Sequence, residues 1–332
     1  MVSIRDVAQE ADVSVTTVSL VLNNKGNISE ITRTRVMQAV ETLGYKRSFR
    51  AQNLRNQQSR IIGYASKSQS VAYNFVLSEF LAHLVQGVER YQRHLLLFSN
   101  PVTSSTDVYR RLIETDVVDG FVLSFTEEND ERFEFLHNEG IPFVAFGRSL
   151  SPYDNLVHWV DVDGKDGMYQ ATQHLIEQGH ERIGFIGWPP GSASGDARFQ
   201  GYLKALNEAN LSPNEAWVIR AEDAIDTGYN ATHELLQNAP NLTAIVAISD
   251  MLAVGALRYF NAAGKRLAVT GFDDNPISRS THPTLTTVRQ PIIEIAERVT
   301  ELLDDQLSGR TPKQQTYLLL PKLIIRNSSI GT

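Results

Sequence analysis

Apolar residues along the first 45 positions recur at the spacing of short helices. Ile4, Val7, Ala8 and Ala11 stand at i, i+3, i+4 and i+7, one face of a helix, with Ser3 placed as its N-cap. The pattern breaks at Asp12-Val13. Ser14 then precedes a second predicted helix whose inward stripe is Val18, Val21 and Leu22. A row of turn formers, Asn23-Asn24-Lys25-Gly26-Asn27, ends it. Ser29 caps a third helix, with Val36, Ala39, Val40 and Leu43 inside and Gly44 as its stop. From Ile61 the rhythm changes. Short apolar runs (Ile61–Tyr64, Leu95–Phe98, Gly120–Leu123, Phe143–Phe146, Ile183–Ile186, Ala244–Ile248, Leu267–Val269, Thr316–Leu320) alternate with amphipathic stretches such as Phe80–Tyr91, Gly164–Gln178, Arg198–Ala209 and Met251–Ala262. Alternating strands and helices predict an α/β domain of parallel sheets covered on both faces. Gly140, Gly179 and Gly264 mark helix ends before the next strand. The string Ile141–Arg148 closes one αβ series and a second starts after Asp163, which predicts two lobes. Open α/β sheets bind ligands beyond the carboxyl ends of their strands. In a two-lobed arrangement both sets of ends face one cleft, which closes as a hinge.

Composition narrows the class. A chain of 332 residues, 42% hydrophobic and 21% charged, has a soluble globular mix and the length of two or three domains. It has no cysteine, which removes disulfides, thiolate metal sites and cysteine nucleophiles. The opening MVSIRDVAQEADVS carries acids where a signal peptide needs an apolar run, and no stretch is long enough to span a bilayer. The expected compartment is the cytoplasm, with no membrane partner. The net charge of −7 is unevenly spread: residues 1–60 hold nine Lys and Arg against five Asp and Glu, or +4, leaving −11 for the remainder. A basic head on an acidic body implies that only the head meets a polyanion. No P-loop or H-E-x-x-H string occurs, and the eight histidines form no metal-ligand pattern. Gly191–Gly195 reads G-S-A-S-G, with Ala where a nucleophile elbow needs Ser. Neither an enzyme nor a cofactor is expected.

Two short helices separated by a few residues make a helix-turn-helix, whose second helix enters the DNA major groove. Wound at 100° per residue, the second helix turns Thr16, Leu20 and Asn23 away from the core, with Ser19 on the flank. Such hydroxyls and amides bond bases or phosphates, and an apolar group packs on a thymine methyl. By pattern alone, a plain three-helix bundle with a polar surface reads equally well. The string VSVTTVSLVLNN at 13–24, with IRDVAQEAD before it and ISEITRTRVMQAVETLGY after it, goes further: residues 3–45 closely resemble the DNA-binding domain of LacI/GalR-family regulators. The resemblance implies a lambda-repressor-like three-helix domain over residues 1–46. It places the main base-reading sites at Val15, Thr16 and Leu20, with Ser3, Thr17, Ser19, Asn23 and Ser29 completing the DNA-contacting set. The family usually carries Arg where Leu20 stands. Arg pairs bidentately with guanine and Leu cannot, so a thymine methyl is the expected partner of Leu20. Residues 47–60 resemble the family's hinge helix. Ala51 and Leu54 fit its A-x-x-L pattern and Leu54 is the implied minor-groove wedge. Arg47-Ser48 stand where the family often has Pro-Asn.

The resemblance continues through VDVDGKDGMYQATQHLIEQGHERIGFIGWPPG, GDARFQGYLKAL, AIVAISDMLAVGALR, VTGFDDNPIS and PTLTTVRQPI. It implies that residues 61–332 form a two-lobed domain similar to periplasmic binding protein type 1. The N-lobe is expected at about 61–162 and 290–318, the C-lobe at about 163–289 and 319–332, with crossings near Val162, Gln290 and Leu319. Strand ends and family positions together give the expected effector-binding set. Asp273 ends the strand in GFDD and Arg198 matches an effector-binding arginine. Ser249 and Asp250 end the AIVAIS strand, Arg148 ends VAFGR, and Trp188 is placed to stack on a pyranose face. Phe80 stands at the head of the first helix, and Asp196 and Gln290 complete the set. Three alternatives stay open: Asp250 as a helix cap, Trp188 as core, and Asp273–Arg198 as an ion pair bridging the lobes. Carboxylates without cationic partners favour a neutral polyhydroxyl ligand over an anion. The resulting expectation is a homodimeric transcriptional repressor on palindromic double-stranded operator DNA, controlled by a small-molecule effector, a sugar. The competing reading is a solute-binding protein of the sugar-transport type without DNA function.

Overall fold

The computed structural model describes residues 2–22, 25–45, 58–67, 74–100 and 106–330. They fall into two compact units, Met1–Ser59 and Arg60–Thr332.

In the first unit, α1 (Ile4–Glu10), α2 (Val15–Leu22) and α3 (Glu30–Thr42) enclose a core of Val7, Ala8, Ala11, Val18, Val21, Val36 and Ala39, the apolar stripes of the three helices. A serine starts each helix. Ser3 Oγ accepts from the Asp6 N–H while the Asp6 carboxylate accepts from the Ser3 N–H, a reciprocal cap. Ser14 Oγ accepts from Thr17 N–H at 3.0 Å and Ser29 Oγ from Thr32 N–H at 3.3 Å. Asp12, at φ +48°, turns the chain between α1 and α2.

The second unit holds two six-stranded sheets. The first runs in the order β11-β5-β4-β3-β1-β2, from β1 (Ile61–Lys67), β2 (His94–Asn100), β3 (Gly120–Leu123), β4 (Phe143–Phe146), β5 (His158–Val162) and β11 (Thr316–Leu319), all parallel. Alternate residues feed its two faces. Ile62, Tyr64, Val122 and Val144 pack with Phe80 and Leu84 of α4 (Phe75–Arg90) and with Ile295 and Val299 of a long helix at Ile292–Leu307. Their neighbours Ala65, Phe121, Leu123 and Ala145 pack with Tyr109 of α5 (Asp107–Glu114) and Phe133 of α6 (Glu131–Asn138). Burial on both faces is why these strands read as continuous apolar runs.

The second sheet runs β12-β10-β9-β8-β6-β7, from β6 (Ile183–Gly187), β7 (Val218–Arg220), β8 (Ala244–Ala247), β9 (Ala268–Asp273), β10 (Thr286–Arg289) and β12 (Lys322–Ile324). Its helices are α7 (Gly164–Glu177), α8 (Ala193–Glu208), α9 (Ile225–Asn238) and α10 (Asp250–Ala263); the helix at Ile292–Leu307 is α11. α7 and α8 cross closely: a methyl on Gly201 would come within 2.1 Å of the Lys165 carbonyl oxygen. The sheets are mostly parallel as expected, but β12 pairs antiparallel with β10. The reason is the path of the chain. β11 leaves the first sheet at its carboxyl end, only Leu320 and Pro321 intervene, and β12 enters the second sheet from that same side. The chain changes lobe three times: after β5, between β10 and α11, and between β11 and β12.

Candidate functional site

The carboxyl ends of β6, β8, β9 and β10 bring the centre of the site together. Arg198, in the second turn of α8, is 6% exposed. Its Nη1 donates to the Ile248 carbonyl at 2.8 Å, just past β8, and its guanidinium lies 3.7 Å over the Phe272 ring and 5.0 Å from that of Trp188. Its Nη2 stands 3.6 Å from Asp273 Oδ1, and the same oxygen accepts from Gln290 Nε2 at 2.7 Å. Burial dominates both charges. It lowers the arginine against the pull of Asp273 and Asp223, and it pushes Asp273 up to about 7 despite Arg198. Arg198 and Asp273 both belong to the C-lobe, so the ion pair braces one lobe and does not bridge two. Gln290, at the second crossing, is the group that ties Asp273 to the hinge.

Other expected residues fall around this centre in different ways. Ser249 is the N-cap of α10, accepting from Leu252 N–H at 3.3 Å and donating its hydroxyl to Asp223. Arg148 follows β4; its Nε donates to Asp161 Oδ2 at 2.8 Å at the end of β5. Asp196, in the first turn of α8, accepts from the Gly191 N–H at 3.1 Å. Asp250 is fully buried. Its carboxylate accepts from Asn275 N–H at 2.7 Å and from the Thr287 hydroxyl at 2.5 Å, and burial pushes its pKa well above the carboxylate range. It braces α10 against β10, and the helix cap is Ser249 rather than Asp250. Phe80 is also placed differently. The helix starts five residues earlier, where Asn74 caps it, so Phe80 lies in its second turn, fully buried between Tyr64 and Phe146. Trp188 is half-buried, with Arg198 over its ring, so that face is not free to stack on a sugar.

A groove of about 1220 Å³ opens beside Asp273 and Gln290, between the first turns of α4 and α11 and the turn Pro276–Arg279. Of the expected set only those two line it; the positions on α4 that do so are Phe75, Ser78 and Glu79 rather than Phe80.

Three acids escaped the sequence reading. Asp223 holds Ser249, and Asp161 holds Arg148. Asp274 is a hub: Arg326 bonds its Oδ1, Arg289 Nε its Oδ2 at 2.7 Å, and Arg279 approaches to 3.4 Å. Burial pushes Asp274 up, but Arg326 and Arg289 outweigh it and hold the carboxyl below its usual range. The GFDD string signals one acid at a strand end; nothing in it separates the roles of the two.

In the first unit, Val15 and Thr16 are exposed on α2, and Thr17, Ser19 and Leu20 are half-buried. Leu20 lies against the turn at Gly26, where an added methyl would stand 3.5 Å from Leu20 Cδ1. The hydroxyls of Ser3 and Ser29 are committed to helix caps. Asn23, Ala51 and Leu54 lie outside the described residues.

A small helical unit with an exposed second helix, joined to a two-lobed α/β body, defines a DNA-binding regulator with a ligand domain. A family model described as bacterial regulatory proteins, lacI family, matches residues 3–48, and one described as periplasmic binding protein-like domain matches residues 172–329. The HTH-type transcriptional regulator CelR of Thermobifida fusca is 32% identical over 335 residues, 97% of this chain and 96% of that protein. The crystal structure of a LacI-family regulatory protein from Chloroflexus aggregans is 39% identical, covers 81% of this chain and 98% of its own, and superposes with a TM-score of 0.76. The structure of a CelR–cellobiose complex is 29% identical and covers 99% and 100% of the two chains, with a TM-score of 0.76. The chain belongs to the LacI family of bacterial transcriptional regulators.

Proposed function

We propose that this regulator is a homodimeric repressor whose two helix-turn-helix units read a palindromic operator, and whose grip is set by a neutral sugar bound around Arg198 and Asp273. The observation that supports the effector class is the balance of charge. Arg198 is the cation nearest Asp273 and also feels Asp223 and Asp161, while Arg148 is already given to Asp161. An anionic ligand would add charge to a site already rich in carboxylates. A polyhydroxyl one donates to Asp273 and Asp223 and accepts from Arg198. That the relative CelR has been solved with cellobiose is consistent with this class. A sugar that prefers one cleft state shifts the equilibrium between states, and by linkage operator and sugar alter each other's affinity by the same factor.

The test uses the full chain. Neutral mono- and disaccharides, cellobiose among them, are compared with their phosphates for their effect on Tm, since a ligand bound only by the folded state raises it. An operator is then selected from a randomised duplex library, and its salt-dependent affinity is measured with and without the stabilising sugar. Stabilisation by the phosphates alone would exclude the neutral-sugar reading. Sugar binding without preference for any duplex would return the chain to the solute-binding class, and sedimentation as a tetramer would contradict the dimer.

A further inference from the structure

We propose that the Trp188 indole N–H and the Arg198 Nε–H receive acceptor oxygens of the effector, so that Trp188 selects the ligand as a hydrogen-bond donor. This rests on the reading that the effector is a neutral sugar. One face and one edge of the indole are taken. The Arg198 guanidinium lies 5.0 Å from its centre, and its Cε3 edge abuts the first turn of α8, where a methyl on Gly195 would stand 3.2 Å away. What is left is the nitrogen. Trp188 Nε1 is shut off from solvent with no acceptor among the described residues, and Arg198 Nε is in the same condition. Of the other two nitrogens of Arg198, one donates to the Ile248 carbonyl and one stands 3.6 Å from Asp273. Trp159 shows the contrast: its indole N–H donates to the Asp154 carbonyl at 2.9 Å.

Buried donors in folded proteins are almost always paired, so two unpaired ones on contacting side chains mark where an acceptor belongs. The rest of the site offers the opposite chemistry, the carboxylates of Asp273 and Asp223. The complement is a sugar whose oxygens accept from Trp188 and Arg198, flanked by hydroxyls that donate to the acids. A site built to bond an oxygen rejects analogues that lack it far more strongly than an apolar pocket does. Both nitrogens are covered in this state of the cleft, so the effector reaches them only as the groups around them shift. The two states therefore differ in affinity for it.

The full chain, labelled with 15N at its indoles, gives separate signals for its three tryptophans, and Trp188→Phe assigns the relevant one. Without effector the Trp188 N–H is expected upfield of that of Trp159. Cellobiose, lactose, D-galactose and D-glucose are then added in turn. The sugar that raises Tm should move the Trp188 signal downfield and leave Trp159 in place. Trp188→Phe should weaken that sugar about ten-fold or more. Benzothienylalanine at 188, which keeps the shape and loses the N–H, should show the same loss with an unchanged Tm. A Trp188 signal already as far downfield as Trp159, one unmoved by a stabilising sugar, or full affinity with benzothienylalanine overturns the proposal. If none of the four sugars raises Tm, the neutral-sugar reading fails and this proposal falls with it. That result is distinct from a sugar that binds and ignores Trp188.

Discussion

Arg198 Nη2 stands 3.6 Å from Asp273 Oδ1, just beyond hydrogen-bond reach, although both side chains are almost wholly out of water. The pair is close enough to orient and too loose to offset burial, which is why the acid is pushed up to about 7. The folded state then keeps a proton that the unfolded chain gives up near pH 4. This contribution to stability is fully present below that pH and is lost as pH rises through 7, by about 2–4 kcal/mol. Asn at the position stays neutral throughout. Melting the parent and Asp273→Asn side by side at pH 5 and pH 8 should show the parent losing ground to the variant at the higher pH. His158, His174 and His180, each lowered by burial, act in the opposite sense but cancel in the comparison. A difference that does not change with pH would remove Asp273 as the titrating group.

Asp274 gathers three arginines from the turn after β9, from β10 and from the C-terminal segment. Its side chain is 2% exposed, so removing its charge strands cations around a buried site. Asp274→Asn should cost about 3–5 kcal/mol, read as a lower denaturant midpoint. A loss below about 1 kcal/mol would place it with ordinary surface ion pairs.

Gly201→Ala forces a methyl into the Lys165 carbonyl, where α7 and α8 cross. The helices have to separate, at an expected cost of about 1–3 kcal/mol. Gly264→Ala acts through the backbone instead, since Gly264 ends α10 at φ +63° with open space around it. It should cost about 1 kcal/mol. Thermal melts of both variants check the order: a smaller effect at Gly201 than at Gly264 would mean that the crossing is not tight.

Leu20→Arg is expected to change which base is preferred at one step of each half-site, towards guanine by about ten-fold. Selection of both proteins against one randomised operator library reads this directly. Unchanged base preference would show that Leu20 is not a reader and leave Val15 and Thr16, the exposed residues of α2, as the reading surface.

Much of the frame was legible in the sequence because it depends on local periodicity. The three serine caps, the α1–α3 stripes and the apolar runs of β3 and β4 needed nothing beyond neighbours in the chain. The failures came where distant residues decide. Phe75, Val76 and Leu77 hide the start of α4 inside an apolar run, and only the Asn74 cap reveals it, so Phe80 reads as the helix head although it lies in the second turn. β7 and β12 are three-residue strands without an alternating signature. Trp188 after a strand reads as a sugar platform until Arg198, ten residues on, is seen lying over it. Asp250 reads as a helix cap or a cleft acid, and its bond to Thr287, 37 residues on, has no local signal.

Because the polypeptide passes three times between its lobes, neither lobe is a continuous stretch of sequence. The N-lobe sheet lacks its edge strand until residue 319 has been made, by which point most of the C-lobe is already synthesised. During translation the helical head therefore emerges complete while the sensing body still lacks strands from both of its sheets.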